Sequence, residues 1–343
     1  MNNKQLLRLP TTILLLVSLL GSILTVEAQN RWSRKIKETY YPSSADNSEQ
    51  PSLVYAPKKV EGKRPLLVAL HTWSSDFQQE GGQPLFGDWC IQNDWFMIHP
   101  NFRGKNRTPK ALGSDLAVAD IVSAVEYMKA NYPIDEDRIY LCGVSGGGHM
   151  SLLMAGRHPE IWAGVSAWCG MTDIQAWWEE KLEDGPERYA KEIEKACGGK
   201  PDKDPKVAEQ YRLRSPLTYL SKAGTVNLDI NDGIDDGRKG NSVPFTHALY
   251  AFNRVVAGTD ALSQEDIDYL YKTRKIPEHL QSTIKEPVYG RKYPIFRKST
   301  DTCRVTLFKG GHEIIHEAAL NWLNLQRKGQ PSVWSVEDPI KLR

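Results

Sequence analysis

The sequence feature that most restricts the fold is a serine set among glycines, in the run GVSGG at residues 143–147. An apolar, β-prone stretch at 138–142 leads into this run, and a helical apolar pattern at 150–155 follows it. G-x-S-x-G between a strand and a helix requires a turn so tight that only small residues fit beside the serine. Such a turn lifts the hydroxyl off the end of a sheet and points a helix N-terminus at the same place. The pattern therefore predicts that Ser145 is a nucleophile.

Strand and helix signals alternate along the chain, which favours a mostly parallel sheet with helices on both faces. The stretches that predict strands are 52–55, 65–70, 95–98, 138–142, 162–168, 226–230 and 303–308. Helical spacing covers 115–128, with Ser114 or Asp115 as its cap, and a closing helix covers 314–325. Two further stretches, about 170–222 and 258–301, do not fit a minimal domain, and we interpret both as insertions above the carboxyl ends of the strands.

These features resemble the α/β-hydrolase fold and, more narrowly, the catalytic domain of prolyl-oligopeptidase-like enzymes. The narrower resemblance rests on the serine turn, on Asn-Phe-Arg-Gly at 101–104 and on Gly-Gly-His at 310–312. It runs from residue 65 to the closing helix. It implies acyl-hydrolase chemistry without metal or cofactor, and a triad in the chain order Ser, Asp or Glu, His. The group contains peptidases, acetyl-xylan and feruloyl esterases and secreted carbohydrate esterases, so the substrate stays open.

A serine hydroxyl needs a base within hydrogen-bond reach. His312 follows the 303–308 strand in a glycine-containing loop that can approach the serine, and we predict that it is this base. His316 is the competitor, but it falls within the closing helix and is interpreted as a packing or surface residue. His71 and His149 are interpreted as structural.

The acid that orients the base is expected after the 226–230 strand. Gly233-Ile234-Asp235-Asp236 matches the Gly-x-x-Asp spacing of related hydrolases, which favours Asp236. The interval from there to Val-Pro at 243–244 is longer than usual, so Asp235 and Asp232 remain alternatives. A calcium loop does not fit, because Leu228 occupies its first ligand position.

The transition state also needs two backbone N–H donors for its oxyanion. By the resemblance, one is the N–H of Gly146 and the other lies in the loop after the 65–70 strand. Trp73 is the predicted donor there, although Thr72 replaces the glycine usual in esterases.

Several side chains are candidates for substrate contact. Aromatic faces stack on the apolar C–H faces of sugars, and Trp168, Trp177 and Trp178 cluster after one predicted core strand. The alternative is that Trp168 belongs to the core and that Trp177 and Trp178 pack the insertion. Arg103 and Lys105 are candidates for holding acidic sugars.

The N-terminus is typical of a secretory signal peptide, with basic residues in 1–8, an apolar run at 13–26 and Val-Glu-Ala at 26–28. The apolar run is shorter than the ~20 residues that span a membrane. We predict cleavage after residue 28, a single catalytic domain at 29–343, and a protein exported to the periplasm or the extracellular space without stable membrane association. An uncleaved anchor is the alternative.

Charge and cysteine content exclude several classes of function. Lys and Arg number 44 and Asp and Glu 42, a balance without the basic excess of nucleic-acid binders. The five cysteines are odd in number and none forms a C-x-x-C pair, so neither zinc nor redox chemistry is indicated. Cys142 and Cys303 are interpreted as small buried residues.

The hypothesis that follows is an exported serine esterase acting on acetyl or methyl esters of a polysaccharide or oligosaccharide. One alternative is an exported peptidase of the same fold, with Glu179 and Glu180 gripping a peptide N-terminus. The stretch at 29–64 is too short for the β-propeller of true oligopeptidases, which disfavours this alternative. The other alternative is a non-catalytic glycan-binding protein.

Overall fold

The computed structural model describes residues 31–238, 242–256 and 258–342. The predicted signal peptide, 1–28, lies outside the described residues. Within the described part, the strands are β1 Lys37–Pro42, β2 Glu49–Tyr55, β3 Arg64–Leu70, β4 Phe96–Pro100, β5 Ile134–Val144, β6 Gly164–Trp168, β7 Leu228–Gly233, β8 Pro294–Ser299 and β9 Cys303–Phe308. They form one sheet in the order β1-β2-β4-β3-β5-β6-β7-β9-β8.

The centre of this sheet is parallel, from β4 through β3, β5, β6 and β7 to β9. β1 and β2 on one side and β8 on the other are antiparallel. The central strands are almost wholly buried, as expected for parallel strands covered on both faces. The predicted α/β-hydrolase architecture is confirmed, and all seven predicted strands are present.

Helices cover both faces of the sheet. In the described residues they are α1 Pro84–Asn93, α2 Asp115–Asn131, α3 Gly146–Arg157, α4 Ile174–Glu183, α5 Glu187–Cys197, α6 Pro205–Arg214, α7 Thr246–Val256, α8 Gln264–Thr273 and α9 His316–Leu325. Residues of α2, α3, α7 and α8 share one buried apolar cluster, whereas α1 and α9 share another. The Ser114 hydroxyl caps α2 by accepting the Ala117 N–H at 3.1 Å, as the sequence predicted. No described helix has both the length and the apolar character that crossing a bilayer requires.

The stretch at 170–222 holds α4, α5 and α6, which enclose a small apolar core of their own around Trp177, Ile193 and Tyr211. The stretch at 258–301 differs from expectation. Its last part is β8, an edge strand that pairs with β9 and buries Phe296 in the main core. Edge strands are short and often carry charged residues. In β8 the charged Arg297 and Lys298 interrupt the alternation of apolar and polar residues, which is why the sequence pattern did not predict this strand.

All five cysteines are buried and free. Cys142 and Cys303 lie in β5 and β9 and are fully buried, which agrees with the interpretation as small core residues.

Candidate active site

Ser145 occupies the one-residue turn between β5 and α3, with φ 60° and ψ −120°. A left-handed conformation is strained for a non-glycine residue and costs about 1–3 kcal/mol. Two backbone hydrogen bonds hold it, because the Ser145 N–H donates to the Trp168 carbonyl at 2.9 Å and the Ser145 carbonyl accepts the His149 N–H at 2.8 Å. A Cβ on Gly148 would lie 2.3 Å from the Trp168 carbonyl oxygen, so only glycine lets α3 approach β6 this closely.

His312 and Asp236 form a direct pair. Nδ1 of His312 lies 2.6 Å from Oδ2 of Asp236. The other carboxylate oxygen of Asp236 accepts the N–H of Gly237 at 2.8 Å, and the Asp236 side chain is almost fully buried. A buried carboxylate on Nδ1 fixes the imidazole tautomer with Nε2 free to accept a proton.

The two alternative acids lie elsewhere. Asp235 forms an ion pair with Arg238 at 2.8 Å, and half of its side chain is exposed. Asp232 is fully buried, and among the described residues neither of its oxygens has a hydrogen-bond partner. Burial and the neighbouring Asp236 raise the pKa of Asp232 well above its ordinary value. Of the three aspartates, the structure places only Asp236 on His312.

Ser145 and His312 line one cavity of about 520 Å³. This volume lies within the range of small-molecule sites. In the described part of the chain no direct hydrogen bond joins the Ser145 hydroxyl to the imidazole. Catalytic hydrogen bonds are often long in free enzymes and shorten when substrate binds.

The two predicted oxyanion donors are neighbours. A Cβ on Gly146 would lie 2.5 Å from the backbone N of Trp73, so the two residues pack backbone to backbone beside Ser145. Neither N–H meets an acceptor within the described residues. Asn106, which is completely buried, holds the Trp73 loop in place. Its N–H donates to the Trp73 carbonyl at 2.9 Å, and its Oδ1 accepts the Leu112 N–H at 3.0 Å. No sequence signal pointed to Asn106, which lies two residues beyond the Asn-Phe-Arg-Gly stretch.

One wall of the cavity is aromatic. Trp177 packs edge-on against Trp73, with ring centroids 4.9 Å apart, and lies 5.3 Å from Tyr189. The Trp73 indole donates to Glu192 Oε2 at 2.6 Å, and the Trp177 indole donates to the Ser242 carbonyl at 3.2 Å. Trp177 thus borders the cavity, but it is only 2% exposed and belongs to the core of the insertion, so its contact with substrate stays a prediction. Tyr189 and Glu192 were missed because exposed helices carry many such residues.

The other two predicted tryptophans do not line the cavity. Trp168 is fully buried, donates to Ser166 Oγ at 2.8 Å and packs on Phe308, so it belongs to the core between β6 and β9. Trp178 donates to Glu194 and meets Tyr211 inside the insertion. Successive helical residues point about 100° apart, which is why Trp178 turns away from the cavity that Trp177 faces.

Arg103 is also placed away from the cavity. Its guanidinium pairs with Asp120 at 2.6 Å and Asp46 at 2.8 Å, and the Arg103 side chain is only 7% exposed. The expectation that it contacts substrate is wrong, because its donors are already used in a buried ion-pair network. Lys105 does not line the cavity either.

Glu179 and Glu180, the acidic residues considered for binding a peptide N-terminus, also lie away from the cavity. Glu179 accepts from Gln175 at 3.0 Å, Glu180 lies 3.5 Å from Nε2 of His247, and neither lines the cavity.

His71, His149 and His316 are buried as interpreted, with His316 packed against Phe86 at a ring-centroid distance of 4.9 Å, but His316 also reaches the cavity. His71 and His149 are buried and bond backbone carbonyls at 2.9 Å, which agrees with structural roles. His316 is the first residue of α9 and lines the cavity. Burial lowers the pKa of His316 to about 4, so its imidazole is neutral at pH 7. His316 reaches the cavity because it is the first residue of α9, and not a residue in the interior of that helix.

One group of potential metal ligands exists in the described residues, formed by Cys169, Asp236 and His312. Burial, followed by the charge of Asp232, raises the pKa of the Cys169 thiol well above its ordinary value. Metals bind the thiolate, and the two other groups bond one another. This trio therefore suits an acid–base pair better than a metal ion.

Comparison with known proteins places the fold and the family. Feruloyl esterase B of Talaromyces funiculosus is 27% identical over 128 residues, which are 34% of this chain and 35% of that protein. An acetylxylan esterase of Coprinopsis cinerea is 26% identical over 126 residues, 34% of each. The chain thus spans about a third of the length of these curated relatives.

Among solved structures, the acylaminoacyl peptidase of Pyrococcus horikoshii aligns with a TM-score of 0.56 at 14% identity, over 94% of this chain and 45% of that chain. At this identity the likeness shows the fold alone. Residues 98–286, more than half of the 343, match the prolyl oligopeptidase family. With the α/β-hydrolase sheet and the serine turn, this match shows that the chain belongs to the prolyl oligopeptidase family.

Proposed function

We propose that this protein is an exported serine esterase that hydrolyses acetyl or methyl esters on a polysaccharide. The observation that carries the proposal is the Asp236–His312 pair at 2.6 Å, opening into the same cavity as the strained Ser145. A base oriented by a buried carboxylate beside a protruding serine hydroxyl is the arrangement that nucleophilic acyl transfer requires.

In the proposed mechanism Ser145 Oγ attacks the ester carbonyl while Nε2 of His312 takes its proton. Asp236 stabilises the imidazolium, and the N–H groups of Gly146 and Trp73 hold the oxyanion. The tetrahedral intermediate expels the alcohol, which receives the proton from His312, and leaves an acyl-serine. Water, deprotonated by His312, then attacks the acyl carbon, releasing the acid and the free serine.

The sugar-ester substrate is supported by Tyr189, the partly exposed ring of the aromatic wall, because aromatic surfaces pack well on sugar rings. Trp73 and Trp177 are only 4% and 2% exposed and support Tyr189 from behind. The feruloyl and acetylxylan esterases among the relatives support ester chemistry, and the name of the second states a polysaccharide ester. Export rests on the sequence of the first 28 residues.

Peptidase activity has less support. The carboxylate that lines the described part of the cavity, Glu313, is ion-paired with Lys292. No free carboxylate is then available among the described lining residues to bind a peptide amine.

The test is release of acetate and methanol from acetylated xylan, acetylated pectin and methylated pectin. We expect the wild type to release one of these products, and Ser145→Ala to release none. Asp236→Asn is expected to lower kcat by about 10⁴, as loss of the orienting carboxylate does in serine hydrolases. Asp235→Asn is the matched control, since it removes a neighbouring carboxylate that does not contact His312, and its kcat should match the wild type.

Two results would contradict the proposal. Wild-type protein with a cooperative unfolding transition that cleaves aminopeptidase substrates but no ester is a peptidase. Protein that binds the glycans and releases no product is a binding protein.

A further inference from the structure

We propose that Arg188 binds a carboxylate of the substrate and so directs the enzyme to esters on acidic polysaccharides, in which uronate groups lie beside the ester. This inference rests on the proposed esterase function and narrows its substrate class. It assigns to Arg188 the role that the sequence suggested for Arg103.

Arg188 lines the same cavity as Ser145 and His312. It is the second residue of α5, on the insertion that carries the aromatic wall. Its guanidinium carbon lies 4.6 Å above the ring of Tyr189, and Nη2 donates to the Tyr189 hydroxyl at 2.8 Å. These contacts hold the exposed Arg188 side chain against Tyr189 in the cavity lining.

Arg188 lies near the negative charge of Glu192 but has no direct ion-pair partner in the described part of the chain. Among the described residues no carboxylate lies within ion-pair distance of its guanidinium. Glu192, one turn further along α5, is bonded to the Trp73 indole, and Glu313 across the cavity is paired with Lys292. The hydroxyl of Tyr189 and, at longer range, the charge of Glu192 raise the pKa of Arg188, so it stays protonated.

An arginine has five N–H donors in a planar fork that matches both oxygens of a carboxylate. The hydrogen bond to Tyr189 uses one donor, so an edge remains for a bidentate partner. Because Arg188 lies beside Tyr189 in the cavity lining, a ligand with an apolar ring face and a carboxylate matches both side chains. A uronate residue has both features, whereas the sugars of neutral xylan lack the carboxylate.

The same carboxylate chemistry occurs in two substrates, a partly methyl-esterified polyuronate and an acetylated polyuronate. The first presents its carboxylate on a neighbouring sugar, and the second on the esterified sugar itself. The experiment therefore measures kcat and KM on oligogalacturonides of each kind, with acetylated xylo-oligosaccharides as the neutral comparison.

We expect the wild type to prefer one of the acidic substrates. Arg188→Ala should raise KM on that substrate at least about tenfold, from loss of a charged hydrogen bond, and far less on the neutral one. Arg188→Lys should recover part of the loss, because it keeps the charge without the fork. The control is Lys191→Ala, which removes a positive charge from the same helix at an exposed residue outside the cavity. It should behave as the wild type on both substrates.

Binding of unesterified oligogalacturonide to Ser145→Ala protein separates this inference from the proposed function. Calorimetric binding that Arg188→Ala abolishes in that background supports the inference even if no ester is cleaved. Hydrolysis that is equal on acidic and neutral esters, or equally reduced on both by Arg188→Ala, overturns the inference and leaves the esterase intact.

Discussion

The oxyanion hole can be tested by placing a methyl group where Gly146 faces Trp73. In Gly146→Ala the new Cβ would lie 2.5 Å from the Trp73 N and 2.7 Å from its Cα. Ordinary contacts begin at 3.4 Å, so one backbone must move by about 1 Å. A donor has to lie about 2.7–3.1 Å from the oxyanion to stabilise it. A shift of this size removes the Trp73 N–H from that range.

Loss of one oxyanion donor lowers kcat by about 10²–10³, or about 3–4 kcal/mol of transition-state stabilisation. KM should change little, since the donor acts mainly on charge that develops in the transition state. The assay is steady-state hydrolysis of 4-nitrophenyl acetate, with thermal unfolding to show that the variant is folded. Gly224→Ala, where a Cβ meets nothing within 4 Å, is the control for loss of a glycine. A Gly146→Ala kcat within threefold of the wild type would refute the assignment of Trp73 as a donor.

Two predictions concern stability. Arg103→Ala leaves the fully buried Asp120 without its partner, so we expect the free energy of unfolding to fall by about 3–5 kcal/mol. The kcat/KM of the folded protein should be unchanged. A lower kcat/KM at wild-type stability would show that Arg103 contacts substrate after all. Burial lowers the pKa of His149 and of His316 to about 4 each, so between pH 6.5 and 4 the unfolded chain binds more protons than the folded one, and stability falls as the pH drops through this window. Each histidine contributes at most about 3 kcal/mol to this change in the free energy of unfolding. Urea unfolding at pH 7.5, 5.5 and 4.5 measures the change. If His149→Gln showed the same dependence of stability on pH as the wild type, the buried His149 would not be its cause.

Local signals in the sequence pointed to Ser145 and His312 of the proposed mechanism and favoured Asp236 among three aspartates. The serine turn needs glycines at fixed positions, and parallel strands bring their carboxyl ends to one edge of the sheet. Residues that follow β5, β7 and β9 therefore had to meet, which is why Ser145, Asp236 and His312 could be selected before their contacts were known. The choice among three aspartates needed the structure, because the backbone of the 232–237 turn decides which carboxylate faces the imidazole.

The side chains that surround the centre could not be selected in this way. Whether a tryptophan borders a cavity or a core depends on which neighbours cover it. Trp168 and Trp177 are both almost fully buried, yet only Trp177 lines the cavity. The placement of Arg103 depends on Asp46 and Asp120, which are distant in sequence. Since charge pairing is a long-range property, a sequence motif around an arginine cannot tell whether its charge is free.

The structure also connects the proposed chemistry with substrate choice. Trp73 supplies a predicted oxyanion donor from its backbone, while its indole belongs to the aromatic wall and bonds Glu192 on α5. The same helix carries Arg188 and Tyr189. A change in α5 that alters the bound sugar can therefore also move the backbone that holds the oxyanion. In this fold the sheet determines where the proposed nucleophile and base lie, and Glu192 of α5 bonds the residue that carries one proposed donor. Changes at Glu192 are therefore expected to alter turnover together with specificity, whereas changes at Arg188 are expected to act on specificity.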